Sequence, residues 1–298
     1  MASAAPTTYI VDPLDPRAPP VDVWERMTPE ERERVVAALP IEVPEQLAQP
    51  EGDFHRKAKE TAVDALDSFF KRTGRRVYVS AELGVYYPGE PRFAPDVLAV
   101  LDVEPRERGS WIVTKEGKGL DFVLEVHVSG DFSKDHVTNV ERYARLGISE
   151  YFLFDRARGS LYGYRLPAPG RRSYERIVPQ LGRYTSSVLS LDLMLIDGKL
   201  RFLSGDATLP YAAELVARLG NMLDDVISHK EDLERQLAEE RAAHDEDRAA
   251  LEAERAALDA ERAAREAERT AERAAREAVE VKLAEALAAL ARLKGATS

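Results

Sequence analysis

Apolar residues along this chain follow two regimes, short runs and alternation up to about residue 208, then one long helical repeat. Over residues 54–72, Val63, Leu66, Phe69 and Phe70 recur at helical spacing and predict a helix with one buried face. Residues 77–87 alternate and are β-rich, and 96–103 (DVLAVLDV) follow Pro95 as a second strand. Residues 122–128 (FVLEVHV) form a third, an apolar run with one acid in its middle. A helix is expected over 134–146, stopped by Gly147 as C-cap, and a strand over 151–155 (YFLFD) follows it. Segments 162–166, 187–196 and 200–203 read as further strands or hairpin arms between Gly, Pro and Asp turns. The order helix, three strands, helix, strand predicts an α/β fold, a mixed sheet flanked by helices with added β-hairpins.

The flanks differ from this centre. Residues 1–20 hold several prolines and little periodicity, so an extended, mostly unpacked arm is expected. Thr28 before Pro29-Glu30-Glu31 is an N-cap followed by proline and first-turn acids, which starts a short helix ending near Pro40. A proline-bearing linker then runs to about Gly52. The chain thus divides into an arm with a short helix (1–51), an α/β domain (52–208) and a helical extension (209–298).

In the extension an acid–Arg pair returns every seventh residue: Glu240-Arg241, Asp247-Arg248, Glu254-Arg255, Glu261-Arg262 and Glu268-Arg269. Alanines at 250, 253, 257, 260, 264, 267, 271 and 274 fill a three-four seam. Two readings compete, an Ala-seamed coiled coil and a solvated single helix held by i,i+4 Glu–Arg pairs. Leu283, Leu287 and Leu290 favour self-association, hence a homo-oligomer, a dimer, through this long C-terminal α-helix.

Composition narrows the chemistry. With no cysteine, disulfides, thiolate zinc sites and cysteine nucleophiles are excluded. A net charge of -11 argues against a broadly basic nucleic-acid coat, although a bound cation or a local cleft can offset it. No apolar run nears the roughly 18 residues of a membrane helix, and the first residues carry no basic start before an apolar core. The expectation is a cytoplasmic protein without membrane contact.

The informative feature is a pair of acids in neighbouring strands. Asp96 opens PDVLAVLDV and Glu125 sits inside FVLEVHV. A carboxylate buried in a strand costs several kcal/mol unless a cation or hydrogen bonds compensate it. A solvent-facing glutamate and an aspartate that merely starts a strand would explain either acid alone. The two together, in this order, form an oxygen-ligand site suited to Mg²⁺ (or Mn²⁺), which takes one or two carboxylates plus waters and phosphate.

The segments APDVLAV, LEVHVSGD and KDHVTNVERYARLGISEYFLFD resemble the Uma-two family of restriction endonucleases, a branch of the PD-(D/E)XK nuclease superfamily. The likeness spans roughly residues 52–203 and includes Pro95-Asp96, Glu125-Val126 with Ser129, Asp135, Tyr143, Gly147 and Glu150-Tyr151 through Asp155. It implies a restriction-endonuclease-like αβββαβ core and metal-dependent hydrolysis of phosphodiester bonds in DNA, with Asp96 and Glu125 as metal ligands. The chain departs from the family where a lysine is usual. Two residues past Glu125 stands His127, and on the following helix stands Asn139. His127 shares the strand face of Glu125 and titrates near neutrality, so it is a catalytic candidate; a polar residue in a wet crevice is the plainer account. Lys134 at the helix start, Asp135 and Glu82 are possible supporting residues. His55 and Glu60 face either the site mouth or solvent, and Tyr143 is expected in the core.

Two functions follow from these residues. One is a metal-dependent DNA endonuclease dimerised through its terminal helix. The other is a catalytically impaired nuclease fold that serves as a DNA-binding or protein-interaction module through its coiled coil.

Overall fold

A computed structural model describes residues 9–41, 52–130 and 133–295, so the start of the arm and the linker over 42–51 lie outside the described residues. The chain divides into two compact units, Met1–Arg218 and Leu219–Ser298.

The first unit opens with helices α1 (Val21–Arg26) and α2 (Pro29–Ala38). Thr28 and Glu31 close the expected start of α2 reciprocally, each side chain accepting from the other's backbone N–H. The arm before them is not unpacked over its described part. Val11 and Ala18 are buried with Trp24, Met27, Val35, Leu39, Tyr86 and Ile112. These contacts have no sequence period, because the segment is neither helix nor strand.

Helix α3 (Asp53–Thr73) buries Lys59, Ala62, Ala65, Leu66 and Phe70, and Gly74 ends it at φ 70°. Leu66 and Phe70 each contribute about 1.5–3 kcal/mol by leaving water. Strands β1 (Val77–Ser80), β2 (Gly84–Tyr86), β3 (Val97–Leu101) and β4 (Ser110–Ile112) follow, then the single turn α4 (Val113–Glu116) and β5 (Phe122–His127). A π-helical turn, Lys134–Thr138, runs into α5 (Asn139–Leu146), which Gly147 stops at φ 80°. After it come β6 (Glu150–Asp155), β7 (Ser160–Arg165) and β8 (Glu175–Arg176).

These strands order as β1-β3-β5-β6-β7-β8, antiparallel except for the parallel pair β5–β6, whose crossover is the π-turn with α5. Taken as α3, β1, β3, β5, α5 and β6, this is the αβββαβ order expected from the sequence. Alternation along β5 sends Phe122, Leu124 and Val126 into the cluster packed with α3. Val123 enters the opposite cluster with Leu98, Tyr143, Ile148 and Tyr151.

The strand expected over 77–87 breaks in its middle. Glu82 adopts a left-handed φ of 52°, and its N–H donates to the Pro95 carbonyl at 3.0 Å. Past this kink β2 leaves the large sheet and pairs in parallel with β4. Strands β9 (Tyr184–Ser186), β10 (Leu191–Ile196), β11 (Lys199–Ser204) and β12 (Ala207–Thr208) form a second, antiparallel sheet. Its Leu193 and Phe202 join the α3-side cluster.

Helix α6 (Ala212–Gly295) makes up the rest. All its described side chains are exposed, and ion pairs such as Lys230–Glu234, Arg248–Glu252 and Glu261–Arg265 lace it at i,i+4 spacing. The side chain of Leu290, one of the residues expected to favour self-association, lies outside the described residues. Among the described residues no helix is long and apolar enough to cross a membrane.

Candidate active site

Asp96 directly precedes β3, and Glu125 lies on β5 beside it. Pairing of Val97 with Leu124 sets their register, so the two carboxylates meet at one end of the strands. The Asp96 N–H donates to Glu125 Oε2 at 3.3 Å, and the Val126 N–H donates to Asp96 Oδ2 at 2.7 Å. Each acid is therefore held by the other's strand rather than by its own rotamer preference.

Tyr143, on α5, is buried and donates its hydroxyl to Glu125 Oε1 at 2.5 Å. It was expected in the core, and it is there, but it also fixes the glutamate. Burial, then the nearby Asp96 charge, pushes the Glu125 carboxyl well above its ordinary value of 4.5, against the Tyr143 hydrogen bond that favours the anion. Burial followed by the charge of Glu125 raises Tyr143 in turn, so its hydroxyl keeps its proton and stays a donor.

His127 is buried, and its Nδ1 lies 3.1 Å from Asp135 Oδ2. With Asp135 ionised, Nδ1 carries the proton of this bond. Asp135 also accepts from the Asn139 amide at 3.1 Å, and its backbone carbonyl accepts from the Tyr151 hydroxyl at 2.8 Å. The π-turn and α5 thus deliver one carboxylate that orients His127. Asn139 is spent on that carboxylate. Lys134 stands exposed at the start of the turn, and its side chain makes no hydrogen bond or ion pair with described residues.

The first helix contributes more than the sequence suggested. His55 Nε2 lies 3.0 Å from Asp96 Oδ2, which places it in the site rather than in solvent. One turn on, Lys59 is 3% exposed and ion-paired with Glu82 Oε1. Sequence reading passed over Lys59. The available signal was its place three residues before Ala62 and seven before Leu66, on the face of α3 that packs inward. Glu82, a possible supporting acid, points to Lys59 from the kink after β1, and its side chain is 54% exposed. Glu60 pairs with Arg56 on the outer face of the helix.

Among the described residues no three His, Cys, Asp or Glu side chains stand close enough to cage an ion by themselves. Two carboxylates still match an ion that keeps most of its waters.

The titration has a consequence for stability. Because the folded state raises the Glu125 carboxyl above 4.5, the native chain holds this proton more tightly than the unfolded one. The resulting stabilisation is complete below 4.5 and is lost as pH rises through the folded value. In metal-free buffer the melting temperature of wild type is expected to fall over that window more steeply than that of Glu125→Gln. Parallel slopes for the two proteins would show that Glu125 titrates normally.

No curated protein matches the chain. The crystal structure of a "putative nuclease belonging to DUF820" from Anabaena variabilis is 18% identical over 48% of this chain and 76% of that one, with a TM-score of 0.37. A family model described as "Putative restriction endonuclease" matches residues 33–196, a span that holds Asp96, Glu125, His127, Asp135 and Tyr143. With more than half of its length inside that match, the chain belongs to the Uma2 restriction endonuclease family.

Proposed function

We propose that this protein is a divalent-metal-dependent endonuclease that hydrolyses phosphodiester bonds in DNA, with Asp96 and Glu125 as ligands of Mg²⁺ or Mn²⁺. The observation that carries the reading is the convergence of these two acids, Glu125 accepting from the Asp96 N–H and Asp96 from the N–H of Val126 next to Glu125. DNA as substrate rests on the family's description. When bound, such an ion supplies Lewis acidity at a phosphoryl oxygen and a water of lowered pKa. Tyr143 holds one oxygen of Glu125 and leaves the other directed at Asp96. Asp135 fixes the orientation of the His127 ring through Nδ1.

The test is incubation of supercoiled plasmid and single-stranded circles with Mg²⁺, Mn²⁺ or chelator. Open circles that appear only with metal support the reading. Clean protein that leaves both substrates intact under either ion overturns it, in favour of an impaired nuclease fold acting as a binding module. One observation favours that second reading: where the family's lysine is usual on α5 stands Asn139, which is committed to Asp135, and Lys134 on the π-turn is exposed.

We further propose that residues 52–208 act as the nuclease domain and that the helical extension pairs two chains in a coiled coil. Support comes from Val216, Leu219, Leu223, Val226, Leu233 and Leu237, which keep a three-four spacing interrupted by Lys230 alone. Leu219 and Val226 are 63% and 64% exposed on the single helix. This stripe precedes the alanine seam and offers more apolar area per turn. A chain ended after Gly220 is expected to unfold cooperatively and to run as a monomer in analytical ultracentrifugation, where the full chain runs as a dimer. A monomeric full chain at tens of micromolar would leave the ion-pair-laced single helix as the correct account.

A further inference from the structure

Lys59 is the only lysine among the described residues that is fully buried. Its neighbourhood makes that burial informative. One turn before it on α3, His55 touches Asp96. The backbone of its partner Glu82 is tied to the carbonyl of Pro95, the residue before Asp96. Lys59 thus lies on the inward face of α3, one turn from the histidine that touches Asp96. Sequestering an ammonium is costly, and Glu82 is one of the groups that compensate Lys59. A cation held at low dielectric on the helix that lines the site is strongly felt by any anion that approaches.

We propose that Lys59 is the phosphate-binding cation of this site and that the Glu82 carboxylate occupies the place of a substrate phosphate oxygen until nucleic acid arrives. This rests on the endonuclease reading above. Glu82 is suited to yield the position: it lies on the kink between β1 and β2, is half exposed, and presents the same negative oxygen chemistry as a phosphodiester. In hydrolysis a water oxygen bonds to phosphorus and the phosphorus–ester oxygen bond breaks. One water proton ends on the leaving alkoxide, and the other passes to solvent as the new phosphate monoester ionises. Lys59 keeps its proton throughout and stabilises the charge that builds on the non-bridging oxygens.

The roles of the two partners predict opposite effects. Plasmid nicking in Mn²⁺ and the affinity for a duplex oligonucleotide in Ca²⁺ are measured for wild type, Lys59→Met, Lys59→Arg, Glu82→Ala and Asp96→Asn. Lys59→Met is expected to lose about 100-fold in kcat, in line with the loss of one charge-stabilising donor. Lys59→Arg, which keeps the charge under the same steric load, retains at least about a tenth of wild-type kcat. Glu82→Ala binds the oligonucleotide several-fold more tightly, because the competing carboxylate is gone. A structural ion pair would instead lower the melting temperature of Lys59→Met and Glu82→Ala alike and leave oligonucleotide affinity unchanged in both. That result, or nicking by Lys59→Met within about threefold of a wild type that Asp96→Asn silences, overturns the assignment and leaves the endonuclease reading standing. A wild type that does not nick at all overturns the endonuclease reading and this assignment with it.

Discussion

Asp96→Asn is expected to reduce metal-dependent nicking by at least about 10³-fold, equivalent to roughly 4 kcal/mol of lost transition-state stabilisation. Asparagine keeps a side-chain oxygen for the Val126 N–H, so the hydrogen bond that ties β3 to β5 survives. What is removed is one of the two negative charges that converge where the proposed ion would bind. The same change relieves the Asp96 repulsion that, after burial, raises the Glu125 carboxyl. In metal-free buffer above pH 4.5, where wild-type Glu125 is under pressure to ionise, the variant should therefore melt no lower than wild type. Activity and stability are thus predicted to move apart, which separates loss of a ligand from loss of the fold. Plasmid nicking and a thermal melt on the same preparation check both. Nicking within tenfold of wild type would remove Asp96 from the metal site.

The largest expected loss of stability lies far from this chemistry. Glu150 opens β6, is 1% exposed, and gathers donors from the segment between β9 and β10. Its Oε1 accepts from the Ser187 N–H at 2.8 Å, the Ser187 hydroxyl at 2.7 Å and the Val188 N–H at 3.4 Å, while Oε2 takes the Ser186 hydroxyl. One side chain thus fastens the second sheet to the first. Glu150→Ala leaves two part-buried backbone N–H groups without their acceptor and opens a cavity at a fully buried position. A cost of about 3–5 kcal/mol is expected, a large share of the 5–15 kcal/mol typical of a whole domain. Urea unfolding measures it directly. Glu150→Gln, which keeps one acceptor oxygen, should lose about half as much. A loss under about 1 kcal/mol for Glu150→Ala would mean that water replaces the carboxylate without penalty.

The sequence carried the order of elements and the two acids that meet at the end of β3 and β5. Period-2 runs such as FVLEVHV, helical spacing at Val63, Leu66 and Phe70, and the stop at Gly147 depend on neighbours a few residues apart, and such local preferences survive into the fold. Asp96 and Glu125 were legible for the same reason, as acids where an apolar run should be unbroken. The length of the terminal helix was legible too, although attention to alanine hid the stronger stripe from Val216 to Leu237.

Other features belong to tertiary structure alone. The bond of His55 to Asp96 spans 41 positions, the pair Lys59–Glu82 spans 23, and Glu150 reaches Ser187 across 37. No periodicity encodes such separations, because they are fixed by how α3 lies on the sheet and how the second sheet closes beneath it. The kink at Glu82 is of the same kind: its left-handed backbone is unfavourable locally and is held by a hydrogen bond to Pro95. Local sequence determined which strands bear the acids. Packing between distant elements decided which lysine, which histidine and which tyrosine stand beside them.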